Sequence, residues 1–172
     1  MKCDACAGAL TPRHATRKAP YHYRLSGLDN VYLVGIKLYR CGRCEADSPV
    51  IPKIQDLHEL IARELARKPA RLTGKEVRFL RKQAGFPARH FAALIGVSPE
   101  HLSRFENGKL RHVGKGTDRV VRFVSVTKGE HEHVHQALLK MAEELLEQRQ
   151  APAIRRPVFE VSMNGRWKSR AA

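Results

Sequence analysis

Four cysteines, Cys3, Cys6, Cys41 and Cys44, fall into two C-x-x-C pairs with 34 residues between them. Each short pair can turn both sulfurs toward one point, and four soft thiolates suit tetrahedral zinc. Because all four ligands come from the protein, no position stays open for water or substrate. One Zn2+ per chain is therefore expected to hold structure rather than react. A redox C-x-x-C sits after a strand at a helix start, whereas both pairs here are expected in sheet turns. Gly8 and Gly42 are expected to permit the tight backbone of the two knuckles.

A second constellation, His131-Glu132-His133-Val134-His135, fits H-E-x-x-H, the helical histidine pair of zinc peptidases with Glu as base. Such an enzyme also needs a third ligand and a cleft, yet only 37 residues follow and none is His or Cys. The motif falls at an expected helix start, where Glu130 and Glu132 favour the macrodipole. No catalytic residue is expected, and a metallopeptidase whose metal lies on His131, His133 or His135 is the remote alternative.

The third candidate is the run PARHFAALIGVSPEHLSRFENGK at 87–109. It reads as a helix, a turn at Gly96-Val97, and a second helix capped by Ser98 with Pro99 at its first position. Phe91, Ile95, Val97, Leu102 and Phe105 are spaced to share a core, and Ala92 is small where two helices cross. This leaves Glu100, His101, Ser103 and Arg104 facing outward, at the start of a helix that can enter a major groove. Arg104 can donate twice to guanine O6 and N7, Glu100 can accept from a cytosine amino group, and His101 or Ser103 can meet a base or a phosphate. Arg78, Arg81, Lys82 and Arg89 before the run, and Lys109, Arg111, Lys115, Arg119 and Arg122 after it, are expected to grip phosphates.

The charge balance points the same way. Thirty-two Lys and Arg against 17 Asp and Glu give a formal net charge of +15 over 172 residues. Such an excess asks for a polyanion, and counterion release makes double-stranded nucleic acid the leading one. No run approaches the roughly 18 apolar residues of a spanning helix, and MKCDACAG has no apolar leader, so no membrane partner and a cytoplasmic location are expected.

Positioning these residues requires two kinds of element. Stretches 20–25, 30–34 and 36–40 have β character, and the last strand is expected to bring Cys41 and Cys44 back beside Cys3 and Cys6. Pro49 and Pro52 mark the exit, after which Ile54, Leu57, Leu60, Ile61 and Leu65 predict a linking helix ending near Pro69. Helices are predicted at 73–84, 87–95, 98–107 and 117–126, the first opened by a Thr73/Glu76 capping box. A fifth, at 131–149, carries a stripe of Val134, Ala137, Leu138, Met141, Leu145 and Leu146. Beyond it lies a basic tail in which Val158-Phe159-Glu160-Val161 alternates like a short strand and Asn164-Gly165 could turn it. The expected class is α+β, mainly α: a zinc-ribbon-like β module at 1–50, a linking helix and linker at 51–72, a five-helix helix-turn-helix domain at 73–150, and the tail at 151–172.

The run ALIGVSPEHLSRFENGK resembles the Cro/repressor-type (Xre) helix-turn-helix, down to Phe105-Glu106-Asn107-Gly108-Lys109. By that likeness Pro99, Glu100 and Arg104 fall at base-reading positions, and Asn107 and Lys109 at phosphate-facing ones. The wider order of MKCxxC, YRLSGLDNVYLVGIKLYRCGRC, a linking helix and this unit resembles the MqsA-type antitoxin regulators with their YgiT-type zinc finger, over residues 1–126. The resemblance implies a zinc module that contacts a toxin and a C-terminal module that dimerises on a palindromic operator. Glu100 and Arg104 match the family's two base readers, with Glu100 standing where the better-known relative has Asn. An interaction protein that binds a toxin or RNA without operator specificity is the alternative of a different class.

Overall fold

The computed structural model describes residues 1–111, 113–130, 132–148, 157–161 and 167–171. It is a mixed α+β architecture with six α-helices and a small three-stranded sheet. The sheet has the order β1-β4-β5, from β1 (Leu10–His14), β4 (Lys37–Cys41) and β5 (Asp47–Val50), all antiparallel. A separate ribbon pairs β2 (Tyr21–His22) with β3 (Tyr32–Leu33).

This departs from the three expected stretches. Both outer strands lie outside those stretches, and each contains a proline that argues locally against a strand, Pro12 in β1 and Pro49 in β5. Proline lacks a ladder donor and is tolerated at sheet edges, which is where these two strands lie. Pro49 thus belongs to a strand rather than marking the exit from the sheet. Arg24 and Leu25, expected at the end of a strand, fall instead in a short 3-10 turn (Arg24–Ser26) closed by Gly27 at φ 76°.

Helix α1 (Ile54–Arg67) follows, with Ala62 and Leu65 buried. Its inward face is narrower than the periodicity suggested, for Ile54 and Leu60 are 40% and 55% exposed. Next come α2 (Gly74–Gln83), α3 (Ala88–Leu94), α4 (Pro99–Glu106), α5 (Lys115–Glu130) and α6 (Glu132–Gln148). Thr73 and Glu76 form the expected capping box on α2, and Ser98 Oγ accepts from the His101 amide at 3.1 Å on α4.

Leu72, Val77, Leu80, Phe86, Phe91, Leu102, Phe105, Val121 and Val124 make one core under α2 to α5, each at most 2% exposed. Full burial of side chains this size stabilises by about 1.5–3 kcal/mol apiece. Leu28, from the N-terminal sheet region, joins the same core. Tyr23 hydrogen-bonds His58 Nε2 at 2.9 Å, and Lys75 pairs with Asp29 at 2.6 Å, across the same seam.

Helix α6 packs on α3, with a face turned by about one position from the expected stripe. His135 and Ala142 are buried and Leu138 and Leu139 pack on the core, whereas Met141 is 49% exposed and Ala137 is exposed. In the tail β6 (Pro157–Val161) pairs antiparallel with β7 (Trp167–Ala171), so the expected strand exists and has a partner. Asn164-Gly165 lies outside the described residues. Among the described residues no helix is long and apolar enough to cross a membrane.

Candidate metal centre and nucleic-acid interface

The central strand β4 ends at Cys41, and its neighbour β1 begins at Leu10, the residue paired with Cys41. That pairing carries the loop holding Cys3 and Cys6 to the same end of the sheet as Cys41 and Cys44. Cys3 Sγ lies 3.6 Å from Cys44 Sγ and Cys6 Sγ lies 3.4 Å from Cys41 Sγ, with all four sulfurs within 4.8 Å of one another. These gaps are far beyond a disulfide bond of about 2.05 Å. They approximate the edges of a tetrahedron whose centre lies about 2.3 Å from each sulfur, so the four donors fit a tetrahedral metal ion. The amides of Cys44 and Arg43 aim at Cys41 and hold its thiol down at about 6, favouring the thiolate a metal requires.

The backbone of the knuckles is not arranged as the glycines suggested. The left-handed positions are Ala7 and Glu45, each at φ 58° and each directly after the second cysteine of its pair. Gly8 is needed for space instead. A Cβ there would lie 2.9 Å from Cys41 Sγ and 2.9 Å from Arg43 Cβ. Gly42 meets nothing closer than 4.0 Å.

Helices α3 and α4 are joined by a turn in which Gly96 takes φ 73° and the Val97 amide donates to Ala92 O at 2.9 Å. This satisfies the end of α3 and reverses the chain within a few residues. Leu102 and Phe105 are buried on one side of α4. Glu100, His101, Ser103 and Arg104 are exposed on the other, with Pro99 half-buried at the first turn. Glu100 is held below the usual carboxylate range by its own amide and the Ser98 hydroxyl, so this face carries an ionised acceptor. Arg104 makes no side-chain hydrogen bond or ion pair among the described residues. Arg89, Asn107, Lys109, Arg111 and Lys115 are all exposed.

Two arginines expected on phosphates are committed inside the molecule. Arg81 is 8% exposed and binds Glu106 through Nε and Nη2 at 2.7 and 2.9 Å, with Nη1 donating to Phe86 O. Arg122 pairs with Asp118 at 2.7 Å and donates to the carbonyls of Leu65, Ala66, Lys68 and Ala70, closing the end of α1. Both roles were missed because an arginine's sequence position gives no sign of a distant carbonyl or carboxylate.

Of the H-E-x-x-H motif, His131 lies outside the described residues. His135 is 4% exposed with its ring edge-on to Phe86, 5.1 Å between centroids, while Glu132 is exposed and accepts from Gln136. The second histidine of the motif thus packs in the core against α3.

Comparison with protein-family models, with curated proteins and with solved structures yields no match for this chain.

Proposed function

We propose that this protein is a sequence-specific DNA-binding transcription regulator with an Xre-type helix-turn-helix and a structural zinc site, acting as a homodimeric repressor of the MqsA antitoxin type. The single observation that carries the reading is the outer face of α4. It leaves Glu100, His101, Ser103 and Arg104 solvent-facing while Leu102 and Phe105 are buried behind them. An arginine on such a face, with no side-chain partner among the described residues, is free to meet a guanine edge.

The exposed Arg89, Asn107, Lys109, Arg111 and Lys115 would track the backbone on either side, and a net charge of +15 supplies the attraction. Two copies would set their α4 helices about 34 Å apart, in successive major grooves of a palindrome. Zinc on Cys3, Cys6, Cys41 and Cys44 would supply a crosslink that folds the N-terminal module, which in this reading is also where a toxin docks. The reading gives the chain no catalytic step, and the burial of His135 supports that.

Footprinting of the metal-loaded protein on the DNA upstream of its own reading frame tests the proposal. Protection of a short palindrome, resistant to random competitor, is the expected result. Retention of duplex that random competitor removes equally well would favour an interaction protein with a merely basic surface. Sedimentation of the complex as one chain per site would remove the dimer.

A further inference from the structure

A groove of about 850 Å³ lies along the seam where loop 25–29 of the N-terminal module meets α1, α2 and the end of α4. That volume is within the range of about 300–1,000 Å³ in which proteins hold small molecules, and module seams are favoured places for such sites. One wall is α2, which presents Lys75, Arg78 and Lys82 to the groove. Lys75 is neutralised by Asp29 at 2.6 Å, and the Glu106 carboxylate at the far end is neutralised by Arg81 at 2.7 Å.

Arg78 and Lys82 are left over. Among the described residues Arg78 reaches only Asn107 Oδ1, at 3.5 Å, and Lys82 has no ion pair. They stand four residues apart on one helix, an arrangement of like charges that costs stability unless an anion lies between them. Beside this cationic wall, the lining is aromatic: Phe79 and His58 meet edge-on with centroids 5.6 Å apart. Leu25, 78% exposed, stands on the rim.

We propose that this groove is a binding site for a small organic phosphate carrying a planar ring, its phosphate on Arg78 and Lys82 and its ring toward Phe79, His58 and Leu25. A guanidinium fork and an ammonium together match a phosphate better than a single carboxylate. The apolar side accounts for a ring where inorganic phosphate would leave Leu25 and the aromatic lining uncovered. The same oxygens are carried by a duplex backbone, and the exposed Asn107 touches one end of the groove, so the two sources must be separated.

The test is calorimetric titration of the zinc-loaded full chain, without DNA, using AMP and then inorganic phosphate. Saturable AMP binding, about ten-fold tighter than inorganic phosphate, is expected, and Arg78→Gln or Lys82→Gln should each weaken it about ten-fold. Lys140→Gln, an exposed cation of α6 outside the groove, should leave AMP binding unchanged. All three side chains are exposed, so the variants keep their fold. Absence of saturable AMP binding, or binding untouched by Arg78→Gln and Lys82→Gln, overturns the proposal. If those variants instead weaken only duplex binding while AMP never binds, the groove belongs to the DNA backbone and the small-molecule site is refuted. Because the titration contains no DNA, a protein that binds AMP yet ignores duplex would sink the regulator reading alone.

Discussion

Arg81 in α2 grips Glu106, the last residue of α4, through two nitrogens at 2.7 and 2.9 Å, with both side chains at most 10% exposed. The pair fixes the end of the proposed recognition helix against the helix that opens the bundle. Removing one partner leaves a buried charge without compensation, so Glu106→Gln should destabilise the fold by about 3–5 kcal/mol in urea unfolding. The double replacement Arg81→Met with Glu106→Leu should recover most of that loss, since an apolar pair of similar volume avoids the desolvation cost. Equal destabilisation by the single and double variants would show that the pair acts through shape rather than charge.

The same two helices touch at Gly74. A Cβ on Gly74 would lie 1.9 Å from Phe105 O and 3.2 Å from Glu106 Cα, both backbone atoms that cannot rotate away. Gly74→Ala should therefore push α2 and α4 apart and cost about 2–4 kcal/mol, although alanine favours helix more than glycine does. Gly116→Ala, at an open position in α5, should instead be neutral or gain up to about 1 kcal/mol by the propensity difference. Thermal melts of the two variants side by side check the contrast.

The metal-ligand cluster was legible because thiolate spacing encodes it directly, and helices α2 to α4 were legible because their caps and apolar positions agree. Other features depended on partners far away in sequence. Pro12 and Pro49 argue against strands locally, yet edge positions in the sheet tolerate both. His135 counts as polar in a periodicity, so the inward face of α6 was placed beside its true position; its ring finds Phe86, 49 residues earlier. Arg81 and Arg122 read as phosphate contacts because charge on a helix is visible and the carboxylate that claims it is not. Gly74 gave no signal at all, for it has ordinary helical company and its reason lies in the backbone of Phe105.

Chelation should reach beyond the cysteines. Leu28 sits in the helical core at 2% exposure, and Tyr23 bonds His58 of α1, so the segment between β2 and β3 ties the N-terminal module to the helices. Stripping the metal, or Cys41→Ser, should unfold the sheet and lower the melting temperature of the helical region as well, by several degrees for each kcal/mol of packing lost. Amide exchange around Leu65 and Leu72 reports it. Exchange there unchanged by EDTA would show that the two regions fold independently.

On DNA, Arg104 and Lys109 should fail differently. Arg104→Ala should cost about 1–3 kcal/mol on the operator and relax preference at one base pair, with little effect on random duplex. Lys109→Ala should weaken all sequences alike and lower the slope of log K against log salt by about 1. Binding titrations over a salt series on both duplexes separate the two patterns. Matching losses from Arg104→Ala on operator and random DNA would remove it from base reading.

Asp118 gives the fold a defined acid sensitivity. Burial alone would push its carboxyl up, but the Arg122 guanidinium, the Leu72 amide at 2.9 Å and the charge of Arg71 outweigh burial and hold it below the ordinary range. A carboxyl whose folded value is depressed stabilises fully above its unfolded value of about 3.9. That contribution fades as pH falls from there through the folded value, because protons then bind the unfolded chain more readily than the native one. Asp118→Asn also releases Arg122, which closes the end of α1, so a loss of about 2–3 kcal/mol is expected at pH 6. Urea midpoints of wild type and variant should stay a constant distance apart from pH 6 to about 4 and converge below it. Parallel curves down to pH 2.5 would mean that the carboxylate contributes by shape and hydrogen bonding alone, with no charge of its own at stake.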